Sequence, residues 1–117
     1  FSELWMDGDE NERVHAPWKK GGMVIIPEDG IFHQHFNTGT TPARYLALRA
    51  GNGTPAPWGG SDVNVKDGGA QIEYEDEMRE IHELFEAELA KNGATCRMKA
   101  FIPYCTGEVG PTNERET

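Results

Sequence analysis

The chain has 117 residues, with 20 acidic against 11 basic side chains, a formal net charge of −9 and a sequence pI near 4.8. That balance excludes a nucleic-acid binder, which needs a basic face to neutralise phosphates, and it disfavours an anionic membrane surface. The length bounds the chain to one modest domain, and no apolar run reaches the roughly 18 residues of a membrane span.

The predicted elements begin with two short strands, Ser2 to Met6 and Arg13 to Pro17, on either side of Asp7-Gly8-Asp9-Glu10, where Asp-Gly is a strong hairpin signal. Met23 to Ile26 is a short continuous apolar run and predicts a strand covered on both faces. Pro27 ends it for want of an N–H, and Gly30 supplies the turn. A further strand is predicted from Ile31 to Phe36. Alternation puts Ile31, His33, His35 and Asn37 on one face and Phe32, Gln34 and Phe36 on the other. Two imidazoles one residue apart on a strand face the same way, which is how a strand offers them to one metal ion. Ala43 to Ala50, reached through Asn37-Thr38-Gly39, predicts the fifth strand, and five short strands with frequent turns suggest a small sandwich or barrel.

Gly51 to Gly69 is rich in Gly, Pro, Asn and Asp and predicts an extended loop, with room for a short strand at Val63 to Val65. A helix is predicted next, over 77–92. Met78, Ile81, Phe85 and Leu89 recur at helical spacing with Leu84 beside them, while Glu80, Glu83, Glu86 and Lys91 take the other side. Asp76 and Glu77 suit its positive end, and Lys91-Asn92-Gly93 is a stop signal. The apolar stripe requires burial, against the outer sheet face with Phe32 and Phe36 or against a partner subunit. His82, among glutamates, is expected to be solvated. Beyond Gly93 no periodicity is evident, and Glu108 to Thr117 has the composition of a polar tail. Cys96 and Cys105 are the only cysteines, with no C-x-x-C pair, which predicts neither a zinc knuckle nor a disulfide framework but two reduced thiols in a cytoplasmic protein.

The segment Gly21-x5-Pro27-x2-Gly30-x2-His33-x3-Asn37 resembles the second motif of the cupin superfamily, with two residues between proline and glycine where one is usual. Asn37 to Arg49 is similar to the turn and strand that come after this motif in bacterial cupins. The resemblance implies a mainly β, cupin-like (jelly-roll) small barrel with one C-terminal helix. The resemblance covers residues 1 to about 50 and, loosely, 51 to 92; together with the loop, helix and tail read from composition and periodicity it divides the chain into a barrel portion at 1–50, a Gly/Pro-rich loop at 51–76, the helix at 77–92 and a tail at 93–117. His33 is the position at which that motif supplies a metal ligand. The first cupin motif, which supplies two histidines and a glutamate, has no counterpart here, and Phe1 to Trp5 resembles the strand just after it. The expectation is therefore a partial barrel completed by association with a segment carrying that motif, or by homo-oligomerisation.

His35 shares the face of His33 and stands as a second ligand, a neighbour of the ligands or a polar lining residue. Asn37 is expected to fix a turn by side-chain to backbone bonds, with substrate contact as the alternative. Arg44 and Tyr45 are candidates for binding an acidic substrate, against the default of an exposed strand face. Imidazoles with a carboxylate and open positions suit Fe(II), with Mn, Ni, Co or Zn also compatible. The resemblance implies a dioxygenase-like oxidoreductase acting on a small acidic or aromatic molecule. A metal-dependent decarboxylase, lyase or isomerase and a non-catalytic binding or assembly module are the alternatives.

Overall fold

The computed structural model describes residues 1–26, 31–48 and 63–110, which fall into two compact units, Phe1–Ala43 and Arg44–Thr117. In the first, β1 (Ser2–Met6) lies between β2 (Val14–Ala16) and β3 (Ile31–His35) in an antiparallel sheet of order β2-β1-β3. The Asp7-Gly8 turn works as predicted, with Gly8 in the left-handed region at φ 86° and Asp9 N–H donating to Met6 C=O.

Register fixes what each face carries. Ser2 pairs with Ala16 and His35, and Leu4 with Val14 and His33; Glu3 pairs with His15 and Gln34, and Trp5 with Phe32. One face thus holds Ser2, Leu4, His33 and His35, and the other Glu3, Trp5, Phe32 and His15. The ladder runs one residue further, because Phe36 N–H donates to Phe1 C=O at 2.8 Å and the two rings stack at 4.8 Å. Trp5 stacks on Phe32 at 5.9 Å. Burial of Phe1, Leu4, Trp5 and Phe36 makes this small core.

Two predicted strands are corrected. Met23 to Ile26 forms no strand and is largely exposed, Met23 at 80 %. A strand covered on both faces needs neighbours to cover it, and the three-stranded sheet supplies none to this run. Residues 43–48 likewise form no strand, with Leu46 84 % exposed; 49 and 50 lie outside the described residues. The sheet as described is open.

In the second unit, the short strand considered at Val63 to Val65 is replaced by an Asn64–Gln71 bridge around a 3-10 turn at Val65–Asp67. Most of the predicted loop, 51–62, lies outside the described residues. A second 3-10 turn, Tyr74–Asp76, leads to α1 (Arg79–Lys91). The helix ends where predicted: Gly93 adopts φ 69°, its N–H donates to Ala90 C=O, and Ala94 N–H donates back to Leu89 C=O at 2.9 Å. This pair of bonds is a Schellman cap, and it turns the chain back along its own helix.

Of the tail expected over 93–117, residues 111–117 lie outside the described residues. Residues 94–110 fold back as a compact series of turns, tied by Glu108 N–H to Cys96 C=O at 2.8 Å and by a Met98–Val109 bridge. Leu89, Cys96, Ile102 and Cys105 make its core, with Phe85, Met98, Phe101 and Tyr104 packed around them. Phe85 and Leu89 of the helix stripe therefore pack within their own unit. Gly107 is required by close approach, since a Cβ there would lie 2.0 Å from Cys96 carbonyl oxygen. No helix among the described residues is long and apolar enough to cross a membrane.

Candidate functional site

Chemistry-bearing side chains collect in two places, one in each unit. On the first sheet face, His33 and His35 stand side by side with ring centroids 5.1 Å apart. Strand alternation makes them neighbours, and β1 supplies the floor through Ser2 and Leu4. Ser2 Oγ is the anchor: it is hydrogen-bonded to His35 Nδ1 at 2.6 Å and accepts from Trp18 Nε1–H at 2.8 Å. Trp18 also packs against the His35 ring at 5.4 Å. Both rings are exposed at the sheet surface, and partial desolvation, then the adjacent His33, lowers the His35 pKa and favours the neutral ring that a metal requires.

This donor set fits a divalent ion in part. Among the described residues, no group of three His, Cys, Asp or Glu ligand atoms includes His33 or His35. Asn37 is occupied in a turn, accepting from Gly39 N–H at 3.0 Å and donating to Thr41 C=O at 2.8 Å. Arg44 and Tyr45 belong to the second unit and are exposed. On the opposite sheet face, Glu3 is 3 % exposed and paired with His15 Nδ1 at 2.7 Å and Arg13 Nε at 3.7 Å, an arrangement that compensates one buried carboxylate.

The second collection is His82, Glu86, Cys96 and Cys105, whose ligand atoms all lie within 4.8 Å of one another. His82 is 1 % exposed, which overturns the expectation of a solvated histidine. It sits one position beyond Ile81, and the buried stripe is wide enough to take in both. The polar ring is tolerated there because Nε2 has partners, 2.9 Å from Glu86 Oε1 and 3.9 Å from Cys96 Sγ; Nδ1 faces Glu77 Oε1 at 3.4 Å without a hydrogen bond.

Glu86, one helical turn further on, reaches the same point and binds the returning segment. Thr106 gives it an N–H at 2.8 Å and a hydroxyl at 2.7 Å. Burial pushes the Glu86 carboxyl up, but the bonds from Thr106, Cys105 and His82 outweigh it and hold the pKa at about 2. Both cysteines are buried and free, and burial pushes the Cys96 thiol up to about 12. Gly107 N–H donates to Cys105 Sγ at 3.4 Å. The available signal in the sequence is the concentration of the only two cysteines shortly after a helix carrying His and Glu at i, i+4. No family model matches this chain, and neither a curated protein nor a solved structure matches it.

Proposed function

We propose that the chain is part of a metal-dependent, cupin-like oxidoreductase in which His33 and His35 are imidazole ligands of one divalent ion, Fe(II) by preference. The observation that carries this reading is the placement of both imidazoles on one sheet face, 5.1 Å apart, with His35 anchored by Ser2. A tautomer with Nδ1–H donating to Ser2 presents Nε2 to the metal, the arrangement that fixes ligating histidines generally. The remaining ligands come from groups outside the described residues, in a cytoplasmic assembly with another copy or another segment of a jelly-roll barrel. Bound Fe(II) with open positions would hold an oxygen-bearing substrate and dioxygen together. A small acidic or aromatic molecule is the substrate class, and Ser2, Leu4 and Trp18 set the orientation of the imidazoles toward it.

The test is titration of the full chain with Mn(II), a redox-stable stand-in for Fe(II), followed by electron paramagnetic resonance. His33→Ala and His35→Ala are each expected to weaken binding, while Cys96→Ser leaves it unchanged. Binding that ignores both histidine substitutions would sink the assignment. Oxygen uptake by Fe(II)-loaded protein with aromatic acids then distinguishes dioxygenase chemistry from metal chemistry that uses no oxygen.

A further inference from the structure

We propose that His82, Glu86, Cys96 and Cys105 form a zinc site that ties α1 to the 94–110 segment, independent of the His33 and His35 pair. Two sulfurs, one imidazole and one carboxylate are the donor types that select zinc over the hard cations suited to an all-oxygen site. Their ligand atoms converge from three places in the chain: one helix face, the turn after Gly93 and the turn before Gly107.

The geometry is close to what four-coordinate zinc needs. Zn–S near 2.3 Å and Zn–N near 2.0 Å place tetrahedral donors roughly 3.3–3.8 Å apart. His82 Nε2 and Cys96 Sγ are already 3.9 Å apart, and the widest separation in the group is bounded by 4.8 Å. Closing that gap moves each donor by about 0.5 Å. Glu86 Oε1, at 2.9 Å from Nε2, moves out by a similar amount as the metal replaces their hydrogen bond.

An outer layer of support is also in place, and it is the independent observation that points to a metal. His82 Nδ1 is buried, makes no hydrogen bond and faces Glu77 Oε1 at 3.4 Å. A carboxylate behind the far nitrogen of an imidazole is how ligating histidines are held in the tautomer that frees the near nitrogen. Glu86 is oriented by both Thr106 donors, and Cys105 Sγ receives Gly107 N–H. Thiols surrendered as thiolates release their protons to solvent as zinc binds. With four protein donors and no open position, the site is structural.

The experiment is Co(II) substitution of the full chain under reducing conditions, with both thiols first counted as free. Expected are the visible bands of four-coordinate Co(II) and a near-ultraviolet thiolate-to-Co(II) charge-transfer band, saturating at one ion per chain. Zinc should displace the cobalt and abolish the charge-transfer band. Cys96→Ser and Cys105→Ser each remove part of the charge-transfer intensity, and His33→Ala leaves that thiolate band unchanged. Glu77→Gln, a positioning change, weakens zinc about tenfold while leaving the cobalt spectrum four-coordinate. Absence of the charge-transfer band from wild-type protein with two free thiols overturns the proposal, whatever the variants do. So does a band that survives both cysteine substitutions.

Discussion

Glu86 and Thr106 are joined by two hydrogen bonds, one from the Thr106 N–H and one from its hydroxyl, so a single helical carboxylate fastens the returning chain to α1. Removing the hydroxyl leaves one of two charge-assisted bonds. Thr106→Ala is expected to lower the stability of the second unit by about 2 kcal/mol, and Thr106→Ser to restore most of it, as read from urea denaturation.

The same bonds make stability depend on acid. The folded carboxyl sits at about 2 and its ordinary value is 4.5, so the native state holds the charged form more tightly than the unfolded chain does. That contribution is fully present above about pH 5.5, begins to decline near 4.5 and is lost as pH falls through about 2. Denaturation midpoints of metal-free protein between neutral and acid pH should show this decline, and Glu86→Gln should flatten it.

Thiol chemistry reports the burial of Cys96. With its pKa pushed up to about 12, almost no thiolate exists at pH 8. Alkylation of Cys96 in native, metal-free protein should be far slower than in urea. Mass spectrometry of the modified peptide measures it, and native labelling at the urea rate would show that the packing around Leu89 and Ile102 is wrong.

Gly107 is a position where shape alone decides. A methyl group would meet Cys96 carbonyl oxygen at 2.0 Å, and that atom is backbone with little freedom to withdraw. Gly107→Ala should cost about 3 kcal/mol, seen as a lowered melting temperature, whereas Gly39→Ala, where the nearest atom is 3.5 Å away, should cost far less.

On the sheet, Ser2 holds Trp18 and His35 together. Ser2→Ala removes the oxygen that accepts the Trp18 Nε1–H bond and holds His35 Nδ1, at a cost of about 1 kcal/mol. A shift in tryptophan emission and an altered His35 titration by NMR should accompany it; an unchanged His35 signal would show that the bond is not formed in solution.

Legibility in the sequence tracks how local each signal is. Period-two alternation puts His33 and His35 on one face, and Asp7-Gly8 places the first hairpin, because both depend on neighbours a few positions away. Met23 to Ile26 misleads because an apolar run states a need for cover without naming what provides it. The helix is legible from Ile81, Phe85 and Leu89, yet His82 reads as solvated, since a histidine beside glutamates looks the same whether its partners are water or buried cysteines. Cys96 and Cys105 meet His82 only through the Gly93 reversal and the Gly107 close approach, which no spacing rule encodes.

The Gly93 cap also bears on the order in which the chain organises. It lets Cys96 reach His82 across 14 residues and Thr106 reach Glu86 across 20, whereas the sheet must bring Ser2 to His35 across 33 and Phe1 to Phe36 across 35. Loop-closure entropy grows with the logarithm of length, and the difference between 14 and 33 residues is about 0.8 kcal/mol. Contacts with shorter closures form sooner, so when the complete chain refolds the helix and its returning segment assemble as an early nucleus, ahead of the pairing of β1 with the strand that carries the two imidazoles.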